Sequence, residues 1–192
     1  GGGGGYGQGD GYGAPPDKQY VKLPTPVEVP EMPAIVLYIS TGEDSGPGKV
    51  YQVTDTGRIL GWVNLPHTAT GLAMHREHGL ICAVPRDGGE ILRIDESGKV
   101  DTVVADDKKV VHPVDVGLSA ASDTIVVADN VANVLAATST DGVTPKLYHE
   151  FDGQKWHAQD MSVAVTTDRH VLFGGNGPEG IFRFHGDDYT AE

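Results

Sequence analysis

The chain has 192 residues, 39% of them apolar and 21% charged, enough for one domain with a core of its own. A formal charge of −13 argues against nucleic acid and anionic membrane surfaces, which need clustered Lys and Arg, and suits cations or basic partners. No apolar run reaches the ~18 residues of a membrane-spanning helix, so no membrane insertion is expected, and a lone cysteine, Cys82, excludes an internal disulfide.

Residues Gly1 to Gly13 hold nine glycines, too little apolar surface to fold alone. This stretch reads as a flexible leader, or as a docking segment anchored by Tyr6 and Tyr12. From Ala14 to Pro33 six prolines favour an extended arm, with any strand confined to an edge. Within it Tyr20, Val21 and Leu23 are candidate partner-binding residues. Leader and arm together span 1–33. A start at Gly1 without methionine reads as a processed chain, and an extracytoplasmic (periplasmic or secreted) location is expected.

After Pro33 short Val/Ile-rich runs alternate with Gly/Asp turns, the spacing of an all-β fold. Ile35–Ile39, Lys49–Val53 and Ile59–Val63 read as the second, third and fourth strands of a partial unit, 34–66. Three segments then superpose without gaps at an offset of 45 residues: His67 to Ala73, His112 to Leu118 and His157 to Val163. The runs that follow keep the offset. They are Leu80–Ala83, Ile125–Ala128 and His170–Phe173, then Ile91–Ile94, Ala136–Ser139 and Ile181–Phe184. A repeat of about 40–50 residues carrying four short strands is a β-propeller blade. The units fall at 67–111 and 112–156, with a partial one at 157–192. The fold class is therefore all-β: an arc of about three and a half to four antiparallel four-stranded blades.

Val126-Val-Ala-Asp129, a short turn and Asn133-Val-Leu135 resemble the core of an NHL repeat, and His112-Pro113 is similar to the entry of such a repeat. The flanking copies depart from the pattern, with Val84-Pro85-Arg86-Asp87 and Gly174-Gly175-Asn176 at the Asp-bearing turn. The resemblance covers roughly residues 34 to 186. It implies a propeller of the superfamily that includes gluconolactonase- and regucalcin-like hydrolases, strictosidine synthase-like proteins and amidating lyases. The Glu, Asn and Asp metal constellation of the gluconolactonase-like members has no residue-by-residue counterpart here.

His67, His112 and His157 hold one place in three successive units, each ahead of the strand that would line the axis. Asp115 and Asp160 follow their histidines by three residues. On a regular strand such residues face opposite ways, and a bulge at the strand entry would bring both inward. Imidazoles and carboxylates around one axis would hold a divalent cation, Zn for the nitrogens or Ca for the oxygens. The competing reading makes each repeated residue a structural element that fixes blade spacing. His75-Arg-Glu-His78 reads as a solvated hairpin turn, Cys82 as a buried inert thiol, and Asp106-Asp107 and Asp187-Asp188 as solvated turns. Trp156 reads as core packing and Gly174–Gly180 as a hairpin turn.

An arc of three and a half blades leaves unpaired strand edges. Two expectations follow: Gln19–Leu23 completes a terminal blade, or self-association or a companion chain supplies what is missing. The leading expectation is a non-catalytic binding or scaffold component of an assembly. The alternative is a metal-dependent hydrolase or lyase with its site at the axial mouth.

Overall fold

A computed structural model describes residues 35–43, 46–119, 123–132, 134–142, 144–150, 161–168, 170–175 and 181–184. Every regular element among them is a strand, and the fourteen strands form four antiparallel sheets. The first sheet holds β1 (Val36–Gly42), β2 (Gly48–Thr54) and β3 (Ile59–Leu65). The second holds β4 (Gly71–His75), β5 (Gly79–Val84), β6 (Glu90–Ile94) and β7 (Val100–Ala105). The third holds β8 (Pro113–Ser119), β9 (Thr124–Asp129), β10 (Val134–Ser139) and β11 (Lys146–Glu150). The fourth holds β12 (Ser162–Val165), β13 (Val171–Gly174) and β14 (Ile181–Phe184). Each sheet is a simple meander in chain order, which is the build of a propeller blade.

The strands predicted from the repeat lie where the offset places them. The fourth strands of the two complete sheets, β7 and β11, did not stand out beforehand because their sequences, VDTVVA and KLYHE, share no pattern at the repeat offset. Exposure along β7 explains this, since only Val104 of its six residues is fully buried. The outer strand of a blade has one edge in water, so its sequence is under weaker apolar constraint.

Packing is sheet upon sheet. On β5, Leu80, Cys82 and Val84 face the first sheet and join Val50, Val63 and Leu65. Ile81 and Ala83 face the third sheet and join Val116, Ile125 and Val127. A strand covered on both faces needs a continuous apolar run, and Leu80–Val84 is one. Between the third and fourth sheets, Val126, Ala128 and Leu135 meet Val163, Phe173 and Phe184. The first strands converge: β8 touches both β4 and β12. These are the inner strands of neighbouring blades around one hub.

Turn chemistry sets the register. Gly79 has φ +88, and a side chain on it would collide with the Ile94 carbonyl, so β4 can turn back into β5 only through glycine. Asp95 Oδ1 accepts from the Ser97 and Lys99 amides at 2.8 and 3.0 Å and closes the β6–β7 turn.

Candidate functional site

Of the repeated polar residues, His67, His112 and Asp115 lie among the described residues. His157 and Asp160 lie outside them, as do Tyr6, Tyr12, Tyr20, Val21 and Leu23 and the expected Gln19–Leu23 strand. Trp156 and Asp187-Asp188 also lie outside, and the Gly174–Gly180 turn falls largely outside. His67 and His112 occupy corresponding places, in the bends ahead of β4 and β8. The β8 ladder shifts register between Pro113 and Asp115, so a bulge of the kind the cation reading needs stands at the strand entry. It does not gather His67, His112 and Asp115 into a group within ligand distance.

Asp115 turns instead to the next blade. Its Oδ2 accepts from Ser162 Oγ at 2.8 Å and from the Val163 amide at 2.9 Å, while Oδ1 accepts its neighbour's amide, Val116 N, at 2.9 Å. One repeat earlier, Thr70 Oγ1 donates to the Val114 carbonyl at 2.8 Å. In the two described repeats, the position three residues beyond the histidine thus ties its blade to the inner strand of the next.

Asp129, the last residue of β9, is fully buried. Its Oδ2 accepts the Val111 and His112 amides, both at 2.6 Å, and its Oδ1 accepts the Val131 and Ala132 amides at 3.1 and 2.8 Å. A buried carboxylate is tolerable when charge-assisted hydrogen bonds surround it. Four amides do so here, closing the loop ahead of β8 onto the turn ahead of β10.

The one group of metal-ligand type among the described residues is elsewhere: His75, His78 and Asp123, whose ligand atoms all lie within 4.8 Å of one another. The hairpin expected at His75–His78 is present, but His75 is not solvated; only 7% of it is exposed. Asp123, in the β8–β9 turn of the next blade, sits at φ 46. Its Oδ1 lies 3.0 Å from His75 Nε2 and 3.7 Å from His78 Nε2. Those separations match the edges of a small coordination polyhedron, so the three groups could hold a metal ion. Sequence reading passed over the cluster because Asp123 is 45 residues beyond His78, the repeat offset itself, and only blade packing brings the two together.

Hydrogen bonding on the far side of the His75 ring restricts that use. Nδ1 accepts both the Glu77 and His78 amides at 3.1 Å. Accepting them requires the Nδ1 lone pair, so the ring proton resides on Nε2 and is donated to Asp123. A metal on Nε2 would need that proton moved to Nδ1, against two N–H groups. In the described state the arrangement is a cross-blade hydrogen bond, and metal entry requires the ring to leave its two amides. An open cleft of about 370 Å³ adjoins it, lined by Glu77, His78, Arg93, Asp95, Glu96 and Ser97.

Cys82 is fully buried, and burial pushes its thiol up to about 12, as expected of an inert thiol. Asp106 lies in an exposed turn, as expected, whereas Asp107 is half-buried and caps the Lys109 amide at 2.8 Å.

No family model matches the chain, and no curated protein does. Solved structures do. The nidogen/laminin complex is similar with a TM-score of 0.63 at 14% identity, over 82% of this chain and 59% of that one. A calcium-binding protein, regucalcin from Agrobacterium tumefaciens, is similar with a TM-score of 0.59 at 17% identity, over 78% of this chain and 53% of that one. A protein of unknown function from Bacteroides thetaiotaomicron gives 0.59 at 6% identity, over 80% and 42%. At these identities the likeness establishes the fold alone, a β-propeller arc. The chain spans between 42% and 59% of the length of these structures.

Proposed function

We propose that this chain is a non-catalytic, extracytoplasmic propeller that acts by association, docking its terminal blade faces against a second copy. The observation that carries this reading is a pair of corresponding positions. The β2–β3 turn and the β6–β7 turn close with the same bonds, from Gly57 to the Thr54 carbonyl and from Gly98 to the Asp95 carbonyl. This places Leu37, which pairs Val53, opposite its counterpart Leu80, which pairs Ile94; Ile39 likewise corresponds to Cys82. Leu80 and Cys82 are 2% and 0% exposed, whereas Leu37 and Ile39 are 46% and 44% exposed. The first sheet has the inner-face chemistry of an internal blade, with no further blade over it among the described residues. At the other end Ile181 of the fourth sheet is 78% exposed. A head-to-tail pair of arcs would set the last sheet of one copy on the first sheet of the other, covering both faces at once.

Sedimentation of the full chain over a range of concentrations tests this. The expected result is a species above the 20.2 kDa monomer that L37D/I39D reverts to monomer with the circular dichroism unchanged. A charge of −13 on each copy opposes apolar association, so salt should strengthen it. A monomer at every concentration, or association that salt weakens, overturns self-association and favours a basic companion chain.

The likeness to regucalcin, a protein described as calcium-binding, favours a second reading in which a divalent cation serves a hydrolase or lyase. Elemental analysis and melting with Zn or Ca present are the check. Stoichiometric metal that is lost in H112A places it at the axis, and loss in H78A places it at the His75–Asp123 cluster.

A further inference from the structure

We infer that the cross-blade cluster of His75, His78 and Asp123 is a closed seat for a transition metal ion, zinc above all, and that the ion opens it by drawing the His75 ring off the two amides it caps. The inference rests on the second reading above only for the presence of a cation. It asks nothing of catalysis, because the ion clamps the second blade to the third.

The ligand atoms already stand close. An ion about 2.1 Å from each member of a tetrahedral shell holds its ligands about 3.4 Å apart. Asp123 Oδ1 lies 3.0 Å from His75 Nε2 and 3.7 Å from His78 Nε2, on either side of that spacing. The two rings come from one hairpin, between β4 and β5, with centroids 4.6 Å apart. Two imidazoles and one carboxylate suit zinc and disfavour calcium, which takes six or more oxygens.

Access and charge favour a cation. His78 is 27% and Asp123 61% exposed, so an ion meets these two ligands first. The adjoining cleft sets Glu77, Asp95 and Glu96 against the Arg93 guanidinium, and its net negative field draws cations inward. The next seam offers a contrast. Asp168 stands 45 residues beyond Asp123, in the corresponding turn of the fourth sheet, and bonds Thr166 and His170 of its own turn. Asp123 reaches across the seam to the two imidazoles instead.

The bonds at His75 Nδ1 set the order of events. While Nδ1 accepts the Glu77 and His78 amides, the ring proton sits on Nε2. An ion held by His78 and Asp123 then faces that proton. The ring swings off its amides, Nε2 gives up its proton and Nδ1 takes one from water, and the freed Nε2 lone pair becomes the third ligand. His75 is neutral before and after, so the exchange consumes no net proton. Each lost hydrogen bond contributes little net, since its amide donor meets water on opening. Binding by three protein ligands outweighs two such bonds.

Zinc and calcium titrations of the full-length, chelator-treated chain test this, by calorimetry and by NMR of the histidine rings and amides. One zinc per chain and no calcium is expected, unchanged in H112A and lost in H78A and in D123N. On adding zinc, the His75 proton should move from Nε2 to Nδ1. Exchange of the Glu77 and His78 amides should speed up roughly tenfold or more, while the amides of β5 exchange no faster. Three results overturn the inference: no stoichiometric zinc in the wild type, zinc that survives H78A or D123N, or zinc bound with the Glu77 and His78 amides still protected. The first and third need no variant, so a variant that folds poorly does not shelter the idea. Zinc lost in H112A but kept in H78A sinks this seat and leaves the second reading standing, with its ion at the axis.

Discussion

The second sheet and the first sheet are built from the same hairpin, yet one is interior and the other terminal. In the second, β5 is buried along its whole length, because sheets stand on both sides of it. In the first, β1 alternates between half-buried and exposed residues, because among the described residues a sheet stands on one side only. Tyr38 packs toward the second blade, and burial raises its hydroxyl pKa, an effect partly offset by Gln52. The difference shows that stability in this fold belongs to the junction between blades more than to the blade itself.

The sharpest test of that contrast substitutes corresponding leucines. L80A should cost about 3 kcal/mol, the loss from a packed core, whereas L37A in the monomer should cost less than about 0.5 kcal/mol. Urea midpoints measure both, and equal costs would mean that the first sheet is covered after all. Next come the polar ties between elements. D129A strips four amides of their acceptor and should cost about 2 kcal/mol, and D115A, on a half-buried junction, about 1 kcal/mol.

The smallest effect is at Asp168, in the turn of the fourth sheet. The Thr166 hydroxyl and then His170 hold its carboxyl at about 2, below the ordinary 3.8. A carboxylate with a depressed pKa stabilises the fold above its unfolded value, and that contribution disappears as pH falls toward 2. Wild type and D168N should therefore differ slightly at pH 5 and converge near pH 2. Being fully exposed, this turn should show the weakest signal of the set.

The repeat made much of this legible beforehand. Leu80–Ala83, Ile125–Ala128 and Ile181–Phe184 were readable as strands because burial on one or both faces demands apolar runs. The bulge at Pro113–Asp115 entered only as a condition of the cation reading, and it stands there without bringing His67, His112 and Asp115 together. What the repeat could not convey was direction. Asp115 reaches across to Ser162 and Val163, and nothing in a single strand shows which neighbour its side chain will choose. The His75–Asp123 pair was hidden for the same reason: its members belong to turns of different blades. His75 looked solvated because polar turn residues normally are, and its burial arises only when the next blade's turn closes over it.

The junction bonds of Thr70 and Asp115 have opposite polarity. Thr70 gives a hydrogen to the carbonyl of the following inner strand, whereas Asp115 takes hydrogens from an amide and a hydroxyl on its successor. The two described seams therefore differ in chemistry at the same repeat position, one closed by a hydroxyl that gives and the other by a carboxylate that takes.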